Sequence, residues 1–159
     1  LDEILSAERF PSGRILKCRL LYGKEVCKSS YAPYKYREVN SLKIIHCDNI
    51  EYGLKYTDRK AIESLFAKRA GCDDILIVKK GLLTDTSFSN IAFYDGEIWW
   101  TPARPLLKGC CRQRLLDQAK IKKTIIKEPD IKCFQSFRLL NAMLDFEGQS
   151  EKDVSGIVF

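Results

Sequence analysis

The sequence predicts an α+β protein, mixed in type, with a mostly antiparallel sheet and few helices. Short β-rich runs recur along the chain, and turn-forming pairs such as Lys80-Gly81 and Asp95-Gly96 separate them. Two segments have the apolar spacing of an amphipathic helix. Because consecutive strands joined by tight turns run antiparallel, we expect the helices to pack against an antiparallel sheet.

The first half of the chain predicts a hairpin, a buried strand and a helix. The hairpin has strands at 15–22 and 25–30 around Gly23-Lys24, and the next strand is 42–46. The helix is predicted over 56–70, begun by Thr57 or Asp58 and ended by Gly71, since its apolar residues share one face: Ile62, Leu65, Phe66 and Ala70.

The second half predicts further strands around one more helix. The helix is expected at 111–120, after Gly109. The strands are expected at 75–79, 81–84, 90–94, 98–101, 124–127 and 138–143.

Composition indicates an ordinary globular protein. The chain has 159 residues, with 45% hydrophobic and 30% charged residues. Its longest apolar runs, such as 75–78, are far shorter than the ~20 residues of a membrane span. The net charge is +6, but the basic residues are dispersed, which is typical of solvated faces. We therefore expect neither a nucleic-acid nor a membrane partner.

The cysteines indicate reduced thiols. There are seven of them, without a Cys-x-x-Cys pair and with a single histidine, His46. This pattern favours neither a zinc site nor a disulfide framework, and we expect no metal. Reduced thiols predict a cytoplasmic protein.

An ordered set of polar and glycine residues follows Lys55. Asp85 lies 30 residues after Lys55, Asn90 5 residues after Asp85, and Thr101 11 residues after Asn90. Gly109 then precedes Arg112 by 3 residues. A pyridoxal-phosphate enzyme needs an amine for the cofactor's aldehyde, an acid at its ring nitrogen, a phosphate cup and a surface under the ring. The set contains candidates for all four.

In this order and spacing, the sequence resembles the class IV (fold type IV) pyridoxal-phosphate enzymes over roughly residues 55–145. These include branched-chain and D-amino-acid aminotransferases and 4-amino-4-deoxychorismate lyase. The resemblance implies a D-amino-acid-aminotransferase-like fold with an incomplete small N-terminal domain. Residues 1–50 would be the remainder of that α/β domain, and 51–159 the larger cofactor-binding domain.

The resemblance implies that Lys55 is the catalytic residue, bonding pyridoxal 5'-phosphate and moving the substrate's proton. Burial beside the cofactor should then lower the pKa of Lys55. Asp85 would face the ring nitrogen, where the family usually has the longer Glu, although a turn residue is the alternative. Arg59 would contact the phosphate or a substrate carboxylate, unless it is a solvated helix charge.

The resemblance also implies cofactor-binding roles at the turn and at the second helix. Ser89 and Asn90 would shape the turn and support the cofactor, and Leu107 would lie under the ring. Gly109 and the amides of Cys110 and Cys111 would hold the phosphate. Most relatives have Thr in place of Cys111, and a thiol is a weaker donor than its hydroxyl.

The pair Asn141-Ala142 favours one branch of the family. Deoxychorismate lyases tend to have Asn followed by a small residue here, whereas aminotransferases tend to have a small residue and Thr. The resemblance therefore favours a lyase that makes p-aminobenzoate and pyruvate in folate synthesis. The alternatives are a class IV aminotransferase acting on amino acids and a vestigial non-catalytic homologue. A small-molecule amino substrate and a homodimer are further implications.

Overall fold

The computed structural model describes residues 15–159, apart from the side chains of residues 26 and 27. The chain divides into two compact units between Arg37 and Glu38. This division falls earlier than the domain boundary expected after residue 50, because strand β3 (Leu42–His46) is an inner strand of a sheet in the second unit. Residues 1–14 of the expected small domain lie outside the described residues.

The first unit contains the predicted hairpin. Strands β1 (Leu16–Tyr22) and β2 (Val26–Pro33) pair antiparallel, with Leu16 opposite Pro33. The register shifts between Leu21 and Tyr22, beside the turn. The second strand runs further than predicted, since pairing with β1 continues to its end.

The second unit contains two sheets. The first has four strands in the order β11-β3-β4-β5, comprising β3, β4 (Asp74–Lys79), β5 (Leu82–Thr86) and β11 (Ile157–Val158). β3 and β4 run parallel, and helix α1 (Lys60–Phe66) lies in the connection between them. Parallel neighbouring strands need such a crossover connection. β4 and β5 are antiparallel.

The second sheet has five strands in the order β10-β9-β6-β7-β8. Helix α2 (Cys110–Asp117) connects β7 to β8, again a parallel pair. The strands are β6 (Asn90–Tyr94), β7 (Trp99–Pro102), β8 (Lys122–Thr124), β9 (Ser136–Leu140) and β10 (Lys152–Asp153). Two short 3-10 helices span Glu128–Cys133 and Val154–Gly156.

The core lies between the two sheets, and each helix covers another face. Between the sheets, one cluster contains Leu42 and Leu76 from the first and Phe93 and Phe137 from the second. A second cluster packs α1 on the first sheet and contains Ile62, Leu65, Ile75 and Ile77. A third packs α2 on the second sheet and contains Ala92, Cys111, Leu115 and Leu140. The predicted α+β class is confirmed.

Several predicted boundaries were wrong. Helix α1 is shorter than 56–70, because residues 56–59 form a loop and Ala70 and Gly71 have positive φ angles of 49° and 85°. β5 continues to Thr86, so Asp85 lies inside the strand rather than at its end. The strands expected at 124–127 and 138–143 form earlier, as β8 and β9, and α2 begins at Cys110 and ends at Asp117.

Three further properties concern the described residues only. No helix within 15–159 is both long and apolar enough to cross a membrane. In the same range, no group of three or more His, Cys, Asp or Glu side chains could hold a metal ion. The described cysteines are free thiols: Cys18, Cys47, Cys72, Cys110, Cys111 and Cys133.

Candidate active site

Three strand ends meet at one edge of the five-stranded sheet. Asn90, the first residue of β6, pairs with Leu140, the last residue of β9. The antiparallel pairing of β6 and β7 brings Thr101 beside Ile91, and the Thr101 hydroxyl donates to the Ile91 carbonyl at 2.8 Å. The turn at 87–89 and the Asn141-Ala142 pair both adjoin this edge.

Asp85 is buried at this edge with both carboxylate oxygens bonded. Its side chain is 5% exposed. Oδ1 accepts from Asn90 Nδ2 at 2.7 Å, and Oδ2 accepts from the Leu107 amide at 2.9 Å. Burial raises the pKa of Asp85 to about 6, although these hydrogen bonds and the charge of Arg112 oppose the rise. Asp85 therefore ties strand β5 to the loop that leads into α2.

Asn90 joins Asp85 to the start of α2. Its Nδ2 also donates to the Leu107 carbonyl at 2.8 Å. A Cβ added at Gly109 would lie 2.2 Å from Asn90 Oδ1, so only glycine allows this close approach. Gly109 has a φ of −69°, which any residue adopts. Glycine is needed here for space rather than for conformational freedom.

Arg112 places a buried positive charge below the same edge. Its residue is 4% exposed. Nε donates to Thr101 Oγ1 at 3.2 Å, and Nη2 donates to the Pro102 carbonyl at 2.8 Å. Burial lowers the pKa of Arg112, and the charge of Asp85 opposes that effect. The two charged groups therefore stabilise each other in a low-dielectric surrounding.

Ser89 closes a buried turn. Its hydroxyl lies 2.8 Å from the Thr86 hydroxyl, and its amide donates to Thr86 Oγ1 at 3.2 Å. The Thr86 amide donates back to the Ser89 carbonyl at 3.0 Å. These bonds fix the chain between Asp85 and Asn90, in agreement with the turn expected there.

Lys55 lies apart from this hydrogen-bonded cluster. It is exposed on the 53–58 loop, and it forms no hydrogen bond or ion pair with any described residue. The expected burial of Lys55 concerns its place beside the bound cofactor and stays a prediction.

Arg59, at the end of the same loop, is half-buried rather than solvated. Its Nη1 donates to the Tyr52 hydroxyl at 2.8 Å and its Nη2 donates to the Ser87 carbonyl at 2.7 Å. Arg59 therefore reaches the turn that adjoins Asp85, while Lys55 does not.

The predicted phosphate site is the N-terminus of α2. Cys110 is exposed, and the first amides of the helix have no carbonyl partner one turn earlier. The Cys111 side chain points instead into the apolar cluster with Ala92 and Leu115, and this burial raises the pKa of its thiol. At the start of α2, Cys111 therefore offers its backbone amide to a ligand, and its side chain faces the core.

The remaining predicted residues lie around the cluster. Leu107 bonds Asp85 and Asn90 through its backbone, while its half-buried side chain packs beside α1. Asn141 accepts from the Met143 amide through Oδ1 at 2.8 Å, which turns the chain just after β9. Ala142 is exposed beside it.

Comparison with known proteins assigns the family. Residues 29–146 match the family described as amino-transferase class IV. The chain belongs to the class IV aminotransferase family. The match covers most of the second unit and every predicted site residue.

Two relatives are similar to this chain over most of its length. A protein of Haemophilus influenzae that is named uncharacterized is 40% identical over 130 residues, which are 82% of this chain and 69% of its own. A crystal structure from Haemophilus somnus, provisionally named a 4-amino-4-deoxychorismate lyase, is 34% identical. It has a TM-score of 0.79 and covers 82% of this chain and 68% of its own.

A more distant relative shows the fold alone. The cofactor-bound form of a hypothetical aminotransferase from Mycobacterium tuberculosis is 16% identical, with a TM-score of 0.61, over 81% of this chain and 53% of its own. That structure holds pyridoxal phosphate. The family's fold is therefore the fold of this chain.

The residues present fit pyridoxal phosphate. The chain offers an exposed primary amine at Lys55, a buried acid at Asp85 and the first amides of α2, which follow Gly109. Each carboxylate oxygen has two acceptor sites, so Asp85, which accepts from Asn90 and from the Leu106 and Leu107 backbone, retains capacity for one more donor. The amine, the carboxylate and the helix-start amides suit an aldehyde, a ring nitrogen and a phosphate in turn.

Two site residues had no role assigned from the sequence. Tyr52 precedes Lys55 by three positions, and no motif distinguishes it. Arg112 is part of the quoted Gly-x-x-Arg spacing, but its contacts with β7 arise from tertiary structure. The ordered spacing could have suggested Arg112, whereas Tyr52 has no sequence signal.

Proposed function

We propose that this protein is a pyridoxal-phosphate-dependent lyase that converts 4-amino-4-deoxychorismate to p-aminobenzoate and pyruvate. The observation that carries the proposal is the Haemophilus somnus relative, which has that provisional name and is 34% identical over 82% of this chain. The position of Asn141-Ala142 at the site edge, next to the Ser89 turn, supports the same branch of the family.

The residues that would hold the cofactor come from four elements. Lys55 would bond its aldehyde, Asp85 would accept from its ring nitrogen, and Leu107 would lie against its ring. The amides of Cys110 and Cys111 would donate to its phosphate. When bound, the cofactor supplies an electron sink for the carbon that carries the substrate's amino group.

Lys55 would then move the proton. Its Nζ takes the proton from the ring carbon that carries the amino group. The bond between the substrate ring and the enolpyruvyl oxygen breaks, and the ring becomes aromatic. The same Nζ returns a proton to the methylene carbon of the departing enolpyruvate, which yields pyruvate. Asp85, whose pKa of about 6 leaves it largely ionised at pH 7, would maintain the positive charge at the ring nitrogen of the cofactor.

One assay distinguishes the candidate activities. The cofactor-loaded protein is incubated with 4-amino-4-deoxychorismate in the absence of any keto acid. We expect p-aminobenzoate and pyruvate in equal amounts. Turnover that requires a keto acid acceptor would instead identify an aminotransferase, and turnover in neither condition a non-catalytic homologue. Either result would overturn the lyase proposal.

We also propose a cytoplasmic homodimer that serves folate synthesis. The support is the family resemblance and the free thiols of the described cysteines. Light scattering coupled to gel filtration tests the dimer, and a mass of one chain would contradict it.

A further inference from the structure

The Lys55 loop is closed at its base by a contact between Tyr52 and Arg59. Arg59 Nη1 donates to the Tyr52 hydroxyl at 2.8 Å, and the guanidinium carbon lies 5.6 Å from the centre of the Tyr52 ring. Tyr52 precedes the loop and Arg59 follows it. The ring of Tyr52 is buried in the cluster with Ile62 and Leu65, so this end of the contact is anchored in the core.

Tyr52 and Arg59 also contact Tyr56 within the loop and Ser87 in the turn that follows Asp85. The Tyr52 hydroxyl lies 3.4 Å from the Tyr56 carbonyl, and the two tyrosine rings meet edge to face at 6.1 Å. The second terminal nitrogen of Arg59 donates to the Ser87 carbonyl at 2.7 Å. Ser87 lies in the turn between Asp85 and Asn90. One guanidinium therefore connects the loop that carries Lys55 to the turn that follows Asp85.

We propose that Tyr52 and Arg59 are positioning residues that hold the Lys55 loop at a fixed place relative to the Ser87–Ser89 turn. This inference deepens the proposed function, on which the role of Lys55 rests. A planar guanidinium can donate to two acceptors at once, which a lysine ammonium on a flexible stem does poorly. The residue type at position 59 therefore matters as well as its charge.

The proposal differs from a direct contact between Arg59 and an anionic group. Both terminal nitrogens of Arg59 already donate to acceptors within the chain. If Arg59 acted only by binding phosphate, loss of the Tyr52 hydroxyl would leave the loop of the cofactor-free protein unchanged. If Arg59 acts by holding the loop, removal of that hydroxyl should have the same effect as a change at Arg59.

The first test measures amide hydrogen exchange in the Lys55 loop of the cofactor-free protein, read at Tyr56, whose amide donates to the Leu54 carbonyl at 2.9 Å. Tyr52→Phe removes only the hydroxyl and keeps the buried ring, and Arg59→Lys keeps the charge. We expect each variant to speed exchange in this loop by about tenfold, as for the loss of a charge-assisted hydrogen bond. Exchange in β4 should remain unchanged. Unaltered exchange at Tyr56 in both variants would overturn the proposal.

Matched controls are available on both sides of the contact. Tyr56→Phe removes a hydroxyl from the same loop that bonds no described residue, and it keeps the ring contact with Tyr52. Arg69→Lys changes an arginine near the end of the same helical segment, where the side chain lies over Phe66. Both controls should leave loop exchange as in the parent protein. Faster exchange in either one would contradict the specific role of Tyr52 and Arg59.

The second test uses the loaded enzyme. A displaced Lys55 should lower kcat more than it raises KM, and it should shift the pH midpoint of the cofactor's visible absorption. The double variant should be no worse than the worse single variant, because both changes break one contact. Additive losses would overturn the shared role. If the protein has no lyase activity, the exchange result still decides whether the contact between Tyr52 and Arg59 holds the loop. Failure of the proposed function and failure of this inference can therefore be distinguished.

Discussion

The site has two parts with different physical support. Around Asp85, the Asp85 and Asn90 side chains are buried and hydrogen-bonded: Asn90 and the Leu107 amide hold the carboxylate, and Gly109 lets Asn90 approach α2. The Lys55 loop, in contrast, is exposed over residues 53–58, and hydrogen bonds from Arg59 anchor it mainly at one end. One part is fixed by the core, and the other by a few contacts at the surface.

This difference separates two requirements of the proposed chemistry. An acid that sets the charge of a ring nitrogen has to be held in a preorganised, dry surrounding. An amine that bonds an aldehyde, is released and then moves a proton has to change position during the reaction. Segments with few buried contacts open at low cost in free energy, so an exposed loop suits the second task. Substitutions at four positions, with matched controls, alter one part of the site at a time.

The largest effect should come from Lys55→Ala. We expect complete loss of turnover and of the cofactor's visible absorption, since no other amine in the ordered set can replace Lys55. The melting temperature should remain unchanged, because the side chain is exposed and bonds no described residue. Absorption spectra and thermal unfolding of the same preparation test both statements. Retained absorption would remove Lys55 from the site.

Gly109→Ala should instead damage stability. Its new Cβ would lie 2.2 Å from Asn90 Oδ1, so either Asn90 rotates away from Asp85 or α2 moves. We expect a loss of about 2–4 kcal/mol in the free energy of unfolding, from overpacking and broken hydrogen bonds. Urea unfolding measures it.

Gly53→Ala is the matched control in the Lys55 loop. No heavy atom lies within 4 Å of the position that its Cβ would take. A loss of stability below about 0.5 kcal/mol is expected there, as for ordinary surface substitutions. Equal losses at the two glycines would remove the contrast between the two parts of the site.

Asp85→Asn should change how stability depends on pH. The pKa of Asp85 is raised from 3.8 to about 6, so the folded protein binds this proton more tightly than the unfolded chain does. Asp85 therefore stabilises the fold below about pH 4, and this contribution is lost as pH rises towards 6. The loss is of the order of 3 kcal/mol. The variant cannot titrate and should lack this slope.

Asp85→Asn also lowers the free energy of unfolding by breaking a hydrogen bond. An amide has one oxygen where Asp85 uses two, so either Asn90 or the Leu107 amide loses its acceptor, at about 1–3 kcal/mol. The variant should be less stable than the parent at pH 4–5, with a smaller difference at pH 7.5. If Asp85 sets the charge of the ring nitrogen, the rate should also fall tenfold or more. An unchanged pH slope would mean that another group titrates.

The sequence predicted features that depend on local patterns. Strands 42–46 and 90–94 have the expected bounds because their apolar residues alone specify buried strands. The parallel pairing of β3 with β4 joins strands that are far apart in the sequence. The sequence predicted antiparallel pairing for strands that follow one another, and it did not predict this parallel pair. The start of α1 was placed too early because residues 56–59 are held in a loop by Tyr52 and Arg59, which no helix pattern shows.

For the site, the spacing of the motif predicted which residues belong together, and the hydrogen bonds among Asp85, Asn90 and Leu107 bring those three together. Their functional roles stay predictions. The exposure of Lys55 could not be read from the sequence, because it depends on which segments cover the loop.

The smallest effect is expected for Cys111→Thr. The sequence resemblance implies that a threonine hydroxyl at this position would donate to the phosphate and tighten cofactor binding. The Cys111 side chain instead packs among Ala92, Leu115 and Leu140 with the Arg114 side chain nearby, so a hydroxyl here would be buried in largely apolar surroundings. We therefore expect cofactor affinity to change by less than about threefold, and stability to fall by about 1–2 kcal/mol.

Cys110→Thr is the control for that substitution, because Cys110 is exposed at the start of the same helix. It should leave stability unchanged, since a surface hydroxyl stays solvated. Titration of the cofactor into both variants, with thermal unfolding of each, separates the two positions. A gain of tenfold or more in affinity for Cys111→Thr would show that the side chain at position 111 turns towards the phosphate when the cofactor binds. The start of α2 would then belong with the adaptable Lys55 loop rather than with the fixed surroundings of Asp85.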